Sequence, residues 1–291
     1  MDIQKSFDDE AKGAIYVVPT PIGNLEDITF RALKILGSVS IIAAEDTRNT
    51  KNLLNHFEIT TSLISYHEHN KMAREDQLLE RVENGESVAI VSDAGMPAIS
   101  DPGYELVQAA TSRGQSVVVL PGANAALCAL VGSGLSTDTF YFYGFLPRKK
   151  KEKIEALNQM KAFQATLLFY ESPYRLKDTL KEMLEQLGNR QIVIARELTK
   201  RFEEYARGTV EELISWAEGR ELKGEFCIVL EGNPEQLEPD TALWWSHLSV
   251  TEHVNHYIEE RHLSSKEAIK QASVDRKMPK RAVYQAFHVG T

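Results

Sequence analysis

Cysteine is scarce in this chain. The 291 residues hold two, Cys128 and Cys227, each within an apolar run. Two thiols so far apart exclude a disulfide framework and a cysteine-based zinc site, and they fit core thiols in a reducing compartment. No run of about eighteen apolar residues occurs, so no spanning helix and no membrane partner are expected. The opening segment, MDIQKSFDDEAKG, lacks the apolar stretch of a secretory leader. Residues 1–13 therefore read as a flexible tail, and a cytoplasmic protein is expected. Phosphate fingerprints are missing as well. No G-x-G-x-x-G follows the first strand-like run and no G-x-x-x-x-G-K-[ST] occurs, which argues against dinucleotide and P-loop binding. No G-x-S-x-G elbow is present. His67-Glu68-His69 comes nearest to a metal cluster, but positions i and i+2 share a face only on a strand, so no metal site is expected. Positive charge is short overall, with 33 Lys and Arg against 42 Asp and Glu and a net charge of −9. Any contact with nucleic acid must then come from local basic clusters.

What is present is alternation. Strand-like runs at Ala14–Val18, Ser40–Ala44, Val88–Ser92, Ser116–Leu120 and Thr139–Phe145 are separated by helical patterns such as Thr29–Leu36, Thr47–Phe57, Lys71–Glu83 and Tyr104–Arg113. This order predicts an α/β domain over 14–147. Ile41–Ala44 and Val117–Leu120 are apolar on both faces of the pleat and are expected to be central strands. A basic break at Pro147–Lys151 is followed by renewed alternation: strands Ala165–Tyr170, Gln191–Arg196, Phe202–Gly208 and Glu225–Glu231, with helices Tyr174–Leu187 and Val210–Ala217. A second α/β domain over 148–235 is expected. The polar, proline-containing segment Gly232–Asp240 reads as a linker. Beyond it, Ser249–Glu260, Ser264–Ala272 and Met278–His288 predict a small all-helical unit within 236–291, helix-turn-helix-like in its spacing.

Ligands of open α/β sheets bind at the carboxyl ends of strands. Four unusual loops fall there: Pro19-Thr20-Pro21-Ile22-Gly23-Asn24-Leu25; Ala44-Glu45-Asp46-Thr47-Arg48; Ser92-Asp93-Ala94-Gly95-Met96-Pro97 running on to Asp101-Pro102-Gly103; and Pro121-Gly122-Ala123-Asn124-Ala125-Ala126. Asp46 fits a helix N-cap, and Asp101 with Pro102 fits an N-cap and first helical position. One such loop is ordinary punctuation. Four on one sheet edge point to a pocket.

These loops, together with Arg196-Glu197-Leu198-Thr199-Lys200, resemble the ribosomal RNA small subunit methyltransferase I family of the tetrapyrrole methylase superfamily. The resemblance covers about residues 14 to 235. It implies two α/β domains with S-adenosyl-L-methionine in the cleft between them, methylation of the ribose 2′-hydroxyl of a cytidine in the decoding centre of 16S rRNA within the small ribosomal subunit, and a homodimer. It implies cofactor contacts at Pro19, at Gly95, Met96, Pro97 and Ile99, at Asn124 and Ala125, and at Tyr170, Ala195 and the Gly224-Glu225 edge. Most are expected to be backbone contacts. Superfamily members acting on tetrapyrroles carry Gly-Asp-Pro where this chain has Gly95-Met96-Pro97, so a role for that aspartate does not carry over. Asp93 and Asp101 are read as shaping the pocket.

Methyl transfer to a hydroxyl needs alignment and a proton acceptor. Glu45, Asp46 and His69 are the candidate bases, with Arg48 orienting phosphate and Glu171 and Lys200 in reserve. Basic runs at Arg148-Lys149-Lys150-Lys151-Glu152-Lys153 and Arg276-Lys277-Met278-Pro279-Lys280-Arg281 are the candidate RNA contacts. Two alternatives stay open on the sequence alone. One is a methyltransferase for a small tetrapyrrole or a modified protein, as diphthine synthase is; the other is a non-catalytic RNA-binding assembly factor.

Overall fold

The computed structural model describes residues 3–6, 13–67, 70–234, 245 and 248–289. Contacts divide the chain into two units, residues 1–234 and 235–291.

The larger unit opens with a parallel sheet. Its elements are β1 (Ile15–Val17), α1 (Phe30–Ser38), β2 (Ile41–Ala44), α2 (Thr47–His56), β3 (Leu63–Ser65), α3 (Lys71–Glu83), β4 (Val88–Val91), α4 (Tyr104–Ser112), β5 (Val117–Val119) and α5 (Ala125–Ser133). The strand order is β3-β2-β4-β1-β5, and every pairing is parallel. All four ligand-type loops therefore leave one edge of one sheet. The alternation of β2 shows why it lies inside. Ile42 and Ala44 face a core shared with Ala32 and Leu36 of α1 and Leu54 of α2. Ile41 and Ala43 face the opposite core, with Leu78, Leu79 and Leu106 of α3 and α4. Each fully buried Leu or Ile contributes about 1.5–3 kcal/mol. Val117–Leu120 departs from expectation, because β5 is an edge strand with Val119 55% exposed. An unbroken apolar run marks a central strand only where both neighbours are present, and β5 has one.

The second sheet contains β6 (Phe140–Phe145), α6 (Lys150–Met160), β7 (Thr166–Glu171), α7 (Leu176–Leu187), β8 (Gln191–Arg196), β9 (Glu204–Thr209), α8 (Val210–Glu218) and β10 (Phe226–Leu230). Its order is β6-β7-β10-β8-β9. Here too the sequence reading needs correction: Thr139–Phe145 belongs to this sheet, not to the first. β6 pairs parallel with β7, with α6 as the crossover between them, while the other pairings are antiparallel. One face of the sheet packs under α6, α7 and α8. Its other face packs on Ala126, Ala129 and Leu130 of α5 and on Ile22 of the first loop. Arg207 of β9 donates to the carbonyls of Gly132 and Ser133 at the end of α5. The helix that follows β5 of the first sheet thus packs on the second.

The basic run after Pro147 also differs from expectation. Arg148, Lys149, Lys150 and Lys151 are exposed, whereas Lys153 is buried. Its ammonium lies 2.8 Å from Glu182 Oε2 and 3.3 Å from the Thr179 hydroxyl. Lys153 falls on the same stripe as Ala156, Leu157 and Met160, the buried face of α6.

Among its described residues the smaller unit has three helices, α9 (Val250–Glu259), α10 (Ser265–Asp275) and α11 (Lys280–Val289). They close on Val254, Ala268, Ile269, Ala272 and Val283. Ser249 with Glu252, and Ser264 with Glu267, form reciprocal capping boxes. Arg276, expected as part of an RNA-facing cluster, is turned inward. It donates to His253 Nδ1 at 3.0 Å and to the carbonyls of Trp245, Leu248 and Ser249.

Candidate functional site

The first and third loops are tied by a two-residue bridge. Thr20 N–H donates to the Gly95 carbonyl and Gly95 N–H to the Thr20 carbonyl, both at 3.0 Å, and the Thr20 hydroxyl donates to the Ser92 carbonyl at 3.1 Å. Gly95 has φ 79°, and a Cβ there would lie 3.2 Å from Ile22 Cγ2. A left-handed backbone and a close wall both favour glycine at this point. Ala98 (φ 67°) and Ser100 (φ 64°) are left-handed without being glycine. Such residues cost about 1–3 kcal/mol each and gather at working sites.

The loop corrects one reading. α4 starts at Tyr104 behind Gly103, which forms no side-chain cap. Asp101 is therefore not the N-cap, and its carboxylate is left for the cleft. Asp46 and Asn124 do cap helices. Asp46 Oδ1 accepts from Arg48 N–H at 2.8 Å, and Asn124 Oδ1 accepts from Leu127 N–H at 3.0 Å.

Between the strand ends of the two sheets lies a cavity of about 330 Å³. From the first sheet it is lined by Gly95, Met96, Ile99, Asn124 and Ala125, and from the second by Tyr170, Ala195, Gly224 and Glu225. Pro19 and Pro97 stand behind this wall and are buried. Pro19 packs against Gly122, where a Cβ would meet its ring at 2.6 Å. The sequence reading missed Phe145, Phe226 and Cys227, all in the lining. Their signal was weak because apolar residues at strand ends look like core. Glu171 also lines the cavity, but its oxygens are held by the Thr179 hydroxyl (2.7 Å), Ser172 N–H (2.8 Å) and Arg175 (3.4 Å). A second hollow of about 410 Å³ lies beside the first loop. Asn49, Asn52, Leu53 and His56, on one face of α2, line it together with Ser92 and Asp93.

The acidic groups at the first sheet's edge have separate characters. Asp46 is held down at about 2 by Arg48, whose guanidinium donates to both its oxygens at 3.0 and 2.6 Å. Asp93 accepts from Asp46 N–H and from Asn49 Nδ2, each at 3.1 Å. Glu45 is pushed up by burial and by the charge of Asp93. Asp101 is pushed up to about 7, first by burial and then by Glu45 and Asp93. Across the cavity, burial raises the Tyr170 phenol to about 12 and the Cys227 thiol to about 12, so both stay protonated. His69 lies outside the described residues.

Lys200 stands at the Glu225 edge of the cavity. Its ammonium bonds Glu197 and Glu225, each at 2.9 Å. Its chain runs over Gly23, where a Cβ would meet Lys200 Cγ at 2.3 Å. Glu197 in turn accepts from Glu225 N–H at 3.0 Å.

Two α/β sheets with a ligand cleft at their strand ends define a methylase-type architecture. The family model for Tetrapyrrole (Corrin/Porphyrin) Methylases matches residues 14–214. Among curated relatives, Ribosomal RNA small subunit methyltransferase I of Halalkalibacterium halodurans is 55% identical over 289 residues, covering 99% of each chain. Its counterpart in Bacillus subtilis is 53% identical, covering 98% of each. Solved structures share the fold. Uroporphyrin-III-C-methyltransferase from Thermus thermophilus has a TM-score of 0.54 at 20% identity, over 75% of this chain and 94% of that one. A diphthine synthase has a TM-score of 0.58 at 13% identity, over 75% and 89%. A further Thermus thermophilus uroporphyrin-III C-methyltransferase structure, complexed with S-adenosyl homocysteine, has a TM-score of 0.53 at 19% identity, over 75% and 97%. The chain is a methyltransferase that belongs to the tetrapyrrole methylase family and, within it, to the ribosomal RNA small subunit methyltransferase I family.

Proposed function

We propose that the protein transfers a methyl group from S-adenosyl-L-methionine to the ribose 2′-hydroxyl of a cytidine, position 1402 of 16S rRNA, in the small ribosomal subunit. The observation that carries the cofactor assignment is the cavity's chemistry. Asp101, Glu171 and Glu225 stand among its described lining residues, and no Lys, Arg or His does. Apolar walls from Ile22, Met96, Ile99, Leu198 and Phe226 complete it. Such a lining suits a flat heteroaromatic ring joined to a cationic centre and repels phosphate. Gly95, whose backbone closes against Ile22, leaves main-chain groups rather than side chains along one wall.

When bound, S-adenosylmethionine supplies a methyl group activated by its sulfonium. The protein's part is to hold two reactants in line and to manage a proton. Alignment contributes up to about 7–11 kcal/mol. Asn124 and Ala125 fix one end of the cavity through the rigid start of α5, and Tyr170 and Ala195 fix the opposite wall. The lining side chains exclude water. Glu45 and the Asp46–Arg48 pair mark the acceptor side. Arg48 is 87% exposed, and two of its donors lock its own carboxylate partner. The rest of its guanidinium serves an RNA phosphate. The exposed Arg148 to Lys151 run supplies further phosphate contacts. The protein works in the cytoplasm as a homodimer.

Mapping 2′-O-methylation in 16S rRNA from cells with and without the protein tests the acceptor. Loss of one cytidine 2′-O-methyl group is expected. An unchanged map refutes the assignment. Calorimetry with S-adenosylmethionine tests the cofactor separately.

A further inference from the structure

Three carboxyl groups gather at the carboxyl edge of the first sheet. Asp93 lines the hollow beside α2, Asp101 lines the cofactor cavity, and Glu45 at the end of β2 repels both. Other acidic groups nearby are already engaged. Asp46 is locked by Arg48 and by its cap, Asp93 accepts from two donors, Glu171 is enclosed by Thr179 and Arg175, and Glu225 is paired with Lys200. Glu45 does not stand on the cavity wall. Asp101 does, released from capping because α4 starts behind Gly103. Among the described residues no cation pairs with it; the Ser92 hydroxyl is its hydrogen-bonding neighbour. Tyr170 of β7 faces it from the second sheet closely enough to feel its charge.

We propose that the Asp101 carboxylate is the proton acceptor of methyl transfer. The assignment rests on the 2′-hydroxyl reading given above. As the sugar oxygen forms its bond to the methyl carbon, the carbon–sulfur bond breaks and its electron pair stays on sulfur, which becomes a neutral thioether. The hydroxyl proton passes to Asp101 and from there to water. No other reactant is needed. A carboxylate of ordinary acidity is a feeble base for a sugar hydroxyl. Burial and two neighbouring negative charges bring Asp101 to about 7, close to the pH at which a general base is most effective. The same strained stretch, left-handed at Ala98 and Ser100, holds the side chain in place.

The test uses the full chain with Asp101→Asn and Asp101→Glu. Calorimetry should show S-adenosylmethionine affinity falling far less than the rate does in both. Single-turnover methylation of small ribosomal subunits by wild type should rise with pH to a plateau above about 7. Asp101→Asn should lose at least about 100-fold in rate together with that limb, and Asp101→Glu should recover part of both. Carbon-13 titration of labelled aspartate carboxyls, read without turnover, should show one group titrating near 7 that is absent in Asp101→Asn. Retention of rate and limb in Asp101→Asn overturns the assignment. So does a loss of cofactor affinity that matches the loss of rate, since the residue would then hold the ligand rather than the proton. If the wild-type product carries no 2′-O-methyl ribose, the acceptor reading falls instead, and the assignment built on it falls with it.

Discussion

The buried ion pair between Lys153 and Glu182 gives a sharp test of the packing beneath the second sheet. The two side chains are 6% and 9% exposed, with their charged atoms 2.8 Å apart. Lys153→Met removes the cation and leaves the buried Glu182 carboxylate without it. Breaking a buried pair in this way costs about 3–5 kcal/mol, because one charge is stranded. At about 3 kcal/mol the folded-to-unfolded ratio falls more than a hundredfold. Replacing both partners, as in Lys153→Met with Glu182→Leu, removes the stranded charge and should recover most of that loss or exceed it. Urea titrations followed by circular dichroism measure the three proteins. A single-variant loss under about 1 kcal/mol, or a double variant as unstable as the single, refutes the reasoning. The same variant also separates structure from recognition. Lys153→Met should leave subunit affinity and its salt dependence unchanged, whereas the triple replacement of the exposed Lys149, Lys150 and Lys151 by alanine should weaken binding and flatten that dependence.

Two further outcomes are expected. Gly23→Ala forces a methyl group into the Lys200 chain. It should lower the melting temperature, and Lys200→Ala in the background should relieve only the steric part of that loss, because Gly23 has φ 150° and its backbone strains any side chain there. Asp101→Asn should raise the melting temperature at pH 8 and leave it unchanged at pH 4. The folded-state pKa of Asp101 lies above its unfolded value, so the native protein is penalised for the charge as pH rises from about 4 through about 7, and the neutral amide escapes the penalty. Equal melting shifts at both pH values would contradict this sign.

Much of the first sheet could be read from the chain because its strands are short apolar runs closed by Gly and Pro. The exceptions have physical causes. β3 is three residues long and none of its side chains is fully buried, so Leu63–Ser65 carries no pattern. α5 is apolar nearly all round although only the face of Ala126, Ala129, Leu130 and Ser133 is buried and Leu127 and Val131 are exposed, so Ala125–Ser133 shows no amphipathic stripe. β6 changes sheets, and no spacing rule marks where a strand finds its partner. At the site, the loops were legible by their turn residues, but not the fate of individual carboxylates. Asp101-Pro102 has the form of a helix start, but the helix begins two residues later, behind Gly103. The position of Lys153 was legible, since Ala156, Leu157 and Met160 follow it at helical spacing; the charge run around it concealed that.

The placement of α5 has a mechanical consequence. Its first turn carries Asn124 and Ala125 on the cavity wall, and its buried face, Ala126, Ala129 and Leu130, packs on the second sheet beside Leu168, Val193 and Val229. The two halves of the cleft therefore cannot swing apart like jaws without exposing a shared interior. Admission and release then fall to the loops around the cavity, among them the Gly224–Glu225 edge that Lys200 pins through Glu197 and Glu225. An enzyme built this way meets its cofactor with the walls already set, so the cost of ordering them falls during folding and not at each encounter.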